Sequence, residues 1–200
     1  MKKLIILLCA AFLSFCACST GTNVKRVDAD KQIDLSGYWN DTDVRIVCNA
    51  LINDCLKNPR ADQSFRARNR TPVVIVGKFK NESSEHINTS IISSTMETAI
   101  FNSGRLDFVA GGDVRDELRE EREDQQNNAS AETMARVRNE TGADYMMTGA
   151  VRAIVDREGG KTVRTYFVTA ELTDIETNQR IWMGQNSEIK KLITQSKAKL

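Results

Sequence analysis

The stretch from Pro72 to Phe79, PVVIVGKF, constrains the fold more than any other part of the sequence. A strand that is apolar on both of its sides predicts burial on both faces, as in a sheet covered by other elements. Asn88 to Ser103 has apolar residues at helical spacing and ends before Gly104, and Asp107 to Val109 predicts a short second strand. Strand, helix and strand in this order predict a right-handed crossover between parallel strands.

A helix is predicted before this unit, from a cap at Asn40 or Asp41 to about Leu56, with Pro59 ending it. Its apolar stripe includes the cysteines Cys48 and Cys55. Seven helical residues separate their Cα atoms by about 10 Å, whereas a disulfide needs less than about 7 Å. We therefore expect two buried free thiols.

Two further helices are predicted after the crossover. The highly charged stretch Asp113 to Asn127 offers almost no apolar edge, which indicates a helix exposed to solvent. Ser130 is predicted to cap a second helix that ends at Gly142. The side chains expected to point inward from that second helix are Met134, Ala135 and Val137.

Three strands are predicted to complete the domain, at Asp144–Asp156, Val163–Ile175 and Ile181–Ile189, with a turn at Asn178 between the last two. They form an antiparallel meander. Ser187 to Leu200 is expected to be a polar tail with at most one helical turn. The predicted fold class is α/β of a mixed α+β kind: a small mixed sheet with a βαβ crossover and a meander, flanked by helices.

The N-terminus predicts export. Lys2 and Lys3 precede the apolar run Leu4–Phe15, and small residues follow it, which is the pattern of a secretory signal peptide. Phe15-Cys16-Ala17-Cys18 fits a bacterial lipoprotein cleavage site, so Cys18 is the predicted lipid attachment residue. Three acyl chains would hold the chain stably at a membrane. The alternative is a plain signal peptide cut near Ala17, which would leave a soluble protein.

These features predict three parts: a signal peptide over residues 1–17, a lipidated cysteine with a short disordered tether over residues 18–33, and a globular domain over residues 34–200. The tether after Cys18 has fifteen residues and spans at most about 50 Å. The 28 Lys and Arg residues include Lys2 and Lys3, so 26 remain in the processed chain against 27 Asp and Glu. This balance argues against a general nucleic-acid binder.

Catalytic and metal-binding patterns are sparse. His86 is the single histidine, which excludes paired-histidine metal sites, and no phosphate-binding glycine motif occurs. Ser187 and Lys190 satisfy S-x-x-K, but the other motifs of that catalytic class are missing. We therefore expect no catalytic residues, no metal, no cofactor and no small-molecule substrate, and we expect a binding module instead of an enzyme.

A basic stretch is the remaining candidate for a site. Between residues 57 and 70, five cations stand against one acid, Asp62. The stretch is interpreted either as a solvated connector or as an electrostatic footprint for an acidic partner, polysaccharide or membrane face. The candidate partner-binding residues are Lys57, Arg60, Arg66, Arg68 and Arg70.

Several short motifs follow one another in a specific order from Asp34 to about Leu192. They are Asp34–Asp43 with Arg45, Pro72–Gly77 with Asn81, Ser103–Gly104, Thr141–Tyr145 with Thr148–Gly149, Tyr166, Leu172–Thr177 with Trp182, and Lys190–Lys191. Taken together, these motifs resemble the penicillin-binding protein activator LpoB family.

The resemblance implies an outer-membrane lipoprotein with a fold similar to the N-terminal domain of TolB. It also implies that the chain binds and activates a bifunctional class A penicillin-binding protein and has no catalysis of its own. Ser19 after the lipidated cysteine agrees with the outer membrane. Two alternatives stay open: an envelope assembly or secretion accessory that docks through residues 57–70, and a cell-wall hydrolase.

Overall fold

The structure is a computed structural model that describes residues 22–29, 31–136 and 140–194. The chain divides into two compact units, residues 1–31 and 32–200. In the described part of the first unit, Lys31 N donates to Asp28 O at 3.1 Å. The predicted signal peptide and the predicted lipid attachment at Cys18 lie outside the described residues.

The second unit combines helices with a mixed sheet, as the sequence predicts. Its helices are α1 Asp41–Lys57, α2 Pro59–Ala67, α3 Thr89–Asn102 and α4 Gly112–Asn128. Its strands are β1 Val73–Asn81, β2 Asp107–Phe108, β3 Tyr145–Glu158, β4 Lys161–Asp174, β5 Arg180–Asn186 and β6 Lys190–Thr194. None of the helices within the described ranges is both long enough and apolar enough to cross a membrane.

The strand order is β2-β1-β3-β4-β5, and β6 also pairs with β4. The short β2 and the longer β3 both run parallel to β1, which confirms the parallel strands of the predicted βαβ unit. Strands β3, β4 and β5 form the predicted antiparallel meander. Asn178 has φ of 58° in the β4–β5 turn, a conformation that asparagine tolerates.

Helices α1 and α3 pack together over one face of the sheet and form the core there. Asn40 caps α1 through a capping box with Asp43, which fixes where the helix begins. Cys48 and Cys55 are buried free thiols, as predicted. Alternate side chains of β4 are fully buried in this core: Tyr166, Val168, Ala170 and Leu172.

The stretch predicted as a solvated connector after Pro59 is instead helix α2. Pro59 ends α1 but also occupies the first turn of α2, where its missing N–H costs nothing. Asn58 caps this helix by accepting hydrogen bonds from Arg60 N and Ala61 N. Ala61 and Phe65 are buried, so α2 contributes to the core.

The helix predicted to begin at Ser130 is absent from the described residues on either side of 137–139. Thr133 N and Met134 N both donate to Ser130 O, which gives one turn only. Ala135 N donates to the side chain of Gln125 at 2.9 Å instead of continuing a helix. Met134 is 38% exposed, so this stretch has no buried apolar face to hold a helix. Val137 lies outside the described residues.

The predicted polar tail after Ser187 contains strand β6. Its five residues, Lys190–Thr194, pair antiparallel with Lys161–Thr165 of β4. Ile189 just before it is buried, so the chain stays in contact with the domain beyond β5. Residues 195–200 lie outside the described part of the chain.

Candidate functional site

One face of the sheet is left largely uncovered, so the burial on both faces that is predicted for β1 does not extend to Lys78 and Lys80. Along β4 the side chains of one face are buried and those of the other face are only partly buried, and α4 has no buried residues. The exposed and partly buried strand residues on this side form a surface that we call the open sheet face. Its residues are Lys78, Lys80, Thr148, Arg152, Ile154, Thr169, Glu171, Arg180 and Met183, with Glu82 at its border.

A β-bulge in β1 decides which side chains reach this face. The register moves by one residue between Val76, which pairs with Met147, and Phe79, which pairs with Gly149. Strict alternation from Val76 would place Lys78 in the core and Phe79 in solvent. The bulge reverses this: Phe79 is 3% exposed, and Lys78 and Lys80 are both exposed.

Gly149 permits this arrangement because the ring of Phe79 lies where a side chain would be. A Cβ on Gly149 would stand 2.3 Å from Phe79 Cε1 and 2.3 Å from Thr169 O. The absence of a side chain at Gly149 therefore lets Phe79 pack against the sheet from the core side. Burial of a phenylalanine in place of a lysine stabilises the domain and leaves two ammonium groups at the surface.

The open sheet face is basic. Arg152 pairs with Glu82 at 2.7 Å, and Arg180 pairs with Glu171 at 2.8 Å. Lys78 and Lys80 form no ion pair with any residue in the described ranges, so this face carries two uncompensated positive charges.

Exposed apolar groups accompany these charges. Ile154 is 62% exposed and Met183 is 67% exposed. The groove between the cations has a volume of about 470 Å³. Apolar side chains beside unpaired cations are typical of a protein-binding surface, because contact with an acidic partner would bury the former and neutralise the latter.

The basic stretch that the sequence singled out is largely engaged within the domain. Arg68 Nη2 lies 2.5 Å from Asp174 Oδ2, and Arg68 Nη1 lies 3.3 Å from Asp144 Oδ1. Arg70 also binds Asp144, at 2.7 Å. The hydrogen bond that Arg68 donates to Tyr145 Oη raises the pKa of its guanidinium group. These contacts tie the end of α2 to the ends of β3 and β4.

The other candidates in that stretch are dispersed. Arg66 pairs with Asp62 on the same helix at 2.8 Å, in an exposed geometry that contributes little to stability. Lys57 and Arg60 are exposed and form no ion pair within the described residues. The structure therefore separates the five predicted residues into three that bind carboxylates of the domain and two that do not.

Sequence reasoning missed the cations of the open sheet face. The available signal was Lys78, which interrupts an apolar run at a position where alternation would bury it. Arg152 gave no such signal, because its exposure depends on which face of the sheet the helices cover. No group of side chains in the described residues is arranged to hold a metal ion.

Several aromatic residues belong to the motifs that carry the family resemblance, and most of them lie in the core. Tyr166 is fully buried, and Trp39 packs edge-on against it with ring centroids 5.2 Å apart. Trp182 is 3% exposed and donates from Nε1 to Asp54 Oδ2 at 2.8 Å. These residues hold α1 and the segment before it against the sheet.

Comparison with known proteins identifies the family. The model of the family described as "Peptidoglycan-synthase activator LpoB" matches residues 43–187. A search of curated proteins finds no significant match.

Solved structures give weaker matches. The LpoB C-terminal domain from Escherichia coli is 17% identical, with 76% of this chain and 99% of that chain covered and a TM-score of 0.46. Lipoprotein GNA1162 from Neisseria meningitidis is 19% identical, with 64% and 88% covered and a TM-score of 0.39. Both TM-scores are below 0.5, so the assignment depends on the family model, which matches more than half of the chain. The chain belongs to the LpoB family of peptidoglycan-synthase activators.

Proposed function

We propose that this protein is an outer-membrane lipoprotein that binds and activates a class A penicillin-binding protein and has no catalysis of its own. The observation that carries the proposal is a domain of the activator family with a basic sheet face left uncovered by its own helices. A regulator needs such a surface, because it acts on its partner through contact alone.

The open sheet face is the surface that we assign to the synthase. Its two unpaired lysines favour an acidic partner surface and would speed the encounter at low ionic strength. Ile154 and Met183 would supply buried apolar contacts in the complex. Arg152 and Arg180 are already oriented by Glu82 and Glu171, which lowers the entropy cost of using them.

The anchor belongs to the same proposal. Cys18 would carry the lipid, and the tether of residues 19–33 would span at most about 50 Å. A short tether keeps the domain close to its membrane, so the partner must extend toward it. Sorting to the outer membrane is supported by Ser19 in place of an aspartate.

Synthase activity in vitro tests the function. A class A penicillin-binding protein from the same organism is assayed for glycan polymerisation and cross-linking, with and without the purified full-length chain in detergent. We expect direct binding and a several-fold increase in rate that saturates with the added chain. Failure to bind any class A synthase of that organism, with unchanged rates, would contradict the proposal.

Fractionation of cells tests the anchor. The Cys18→Ser variant should move from the outer-membrane fraction to the soluble periplasmic fraction, because it lacks the acylated thiol. Cys16→Ser is the matched control, since it changes a neighbouring cysteine within the leader and should leave the membrane location unchanged. Retention of the Cys18→Ser variant in the outer membrane would refute lipid attachment at this residue.

A further inference from the structure

A second cavity, of about 430 Å³, lies on the helix-bearing side of the sheet, at the end where β3 and β4 extend beyond the helices. Its walls include Tyr38, Ser84 and His86, and two arginines, Arg157 and Arg164. A cavity of this size accommodates a small polar ligand. Neither the proposed synthase contact nor the packing of the helices uses it.

Arg164 is buried and rigidly held at this cavity. It is 7% exposed, its guanidinium carbon lies 3.8 Å from the centroid of the Tyr38 ring, and Nη1 donates to Gly37 O at 3.3 Å. Its Nε lies 3.2 Å from Glu85 Oε1 but has no aligned hydrogen bond to any described residue. A buried guanidinium is therefore preorganised beside an accessible cavity.

Glu85 is the carboxylate beside Arg164, and its oxygens are already occupied. Tyr166 Oη lies 2.9 Å and 2.8 Å from the two oxygens and donates to this carboxylate. Trp39 N also donates to Oε2, at 3.4 Å. Glu85 therefore neutralises the charge of Arg164, and its oxygens are too occupied by other donors to bind a second cation.

Arg157 supplies that second charge. In the β3–β4 register, Val155 pairs with Arg164 and Arg157 pairs with Thr162, so the two arginines are diagonal neighbours on one face. Such neighbours lie roughly 7–8 Å apart, within reach of a single anion for side chains of this length. Arg157 is exposed and forms no ion pair with a residue in the described ranges.

We propose that this cavity binds a small ligand through a carboxylate placed between Arg157 and Arg164. An arginine side chain matches a carboxylate in geometry and charge. Ser84, His86 and the half-exposed ring of Tyr38 would contact the uncharged part of the ligand. Peptidoglycan offers such a carboxylate at the end of its stem peptide. On strands from which the peptide has been removed it also offers one on the acidic sugar, because the peptide is otherwise attached through that carboxyl. The choice of this source rests on the proposed function, whereas the carboxylate chemistry rests on the cavity.

Titration of the full-length chain with three probes tests the site, with the indole N–H signal of Trp39 and calorimetry as readouts. N-acetylmuramic acid is N-acetylglucosamine with a lactyl ether that bears a carboxylate, so N-acetylglucosamine is the neutral reference sugar. Acetyl-D-alanyl-D-alanine carries the carboxylate on a peptide. Binding of N-acetylmuramic acid or of the dipeptide, with at least tenfold weaker binding of N-acetylglucosamine, supports the site. Whichever of the two acids binds identifies the source.

Two matched variants complete the test. Arg157→Gln should weaken binding of the acidic probe at least tenfold, whereas Arg152→Gln, on the same strand but on the open sheet face, should leave it unchanged. No binding of either acid, equal binding of the neutral sugar, or equal behaviour of the two variants would overturn the proposal. Because no synthase is present, these outcomes are independent of synthase activation.

Discussion

Lys191 Nζ lies 2.6 Å from Asp43 Oδ2. This ion pair joins two residues that are 148 positions apart in the chain. The Asp43 side chain is 4% exposed and the Lys191 side chain is 10% exposed. The same ammonium group binds Asp34 Oδ1 at 2.7 Å and donates to Tyr38 O at 2.9 Å. This contact fixes β6 and the segment before α1 to the first turn of α1.

Replacement of Lys191 by methionine should destabilise the domain by about 3–5 kcal/mol. The variant keeps the apolar stem but leaves Asp43 buried without its cation, and loss of one partner of a buried pair costs about that much. The free energy of unfolding from urea titration is the measurement. Lys190→Met, at the exposed neighbouring position, should change it by less than about 0.5 kcal/mol. Equal stability of the two variants would show that the buried pair is not structurally important.

Asp34 should make the domain sensitive to acid. The hydrogen bond from Lys191 lowers the pKa of Asp34 from its ordinary value to about 2. This carboxyl is protonated at a lower pH in the folded state than in the unfolded state. Its contribution to the stability of the domain is therefore present above about pH 4 and is lost as the pH falls toward 2.

Urea titrations of wild type and Asp34→Asn at pH 7 and at pH 2.5 measure this contribution. The wild type should be the more stable at pH 7, by a modest amount because Asp34 is partly exposed to solvent. The difference should shrink at pH 2.5. A difference that stays constant across this range would show that the ionised Asp34 carboxylate does not contribute.

Gly149→Ala should destabilise the domain by about 2 kcal/mol or more, because the new methyl group would overlap Phe79 and the carbonyl of Thr169. Gly142→Ala is the matched control: no atom lies within 4 Å of the added carbon, and φ of Gly142 is not positive. The control should retain wild-type stability in the same denaturation experiment. Wild-type stability of Gly149→Ala would show that Phe79 does not pack as described.

Cys48 and Cys55 should be unreactive in the folded protein. Burial raises the pKa of each thiol to about 12, so almost no thiolate is present at pH 8. Alkylation with iodoacetamide, followed by peptide mass spectrometry, should leave both unmodified in the native state and modify both in guanidinium. Rapid native alkylation of either residue would indicate that α1 opens readily.

Local signals in the sequence predicted those elements whose stability is mainly local or that bury a long apolar face. Strand β1, helices α1 and α3, and the meander all belong to this class, and each lies within a few residues of its predicted bounds. Helix α2 was missed although Asn58 and Pro59 are good helix-initiating residues, because the proline was interpreted only as an end.

The remaining differences arise from contacts that a local pattern does not contain. Strand β6 depends on pairing with β4 and on the ion pair of Lys191, both remote in sequence. The open sheet face depends on the bulge before Phe79, which reverses the side of β1 on which Lys78 lies. The cavity of Arg157 and Arg164 depends on the register of the β3–β4 hairpin.

The affinity of charge-reversed variants for a class A penicillin-binding protein tests the central claim most directly. Lys78→Glu with Lys80→Glu should weaken binding at least tenfold and abolish activation, while the free energy of unfolding changes little because both residues are exposed. Lys57→Glu with Arg60→Glu reverses two equally exposed cations of the basic stretch and should leave both quantities unchanged. Full activation by the first variant, or loss of binding in the second alone, would contradict docking through the open sheet face.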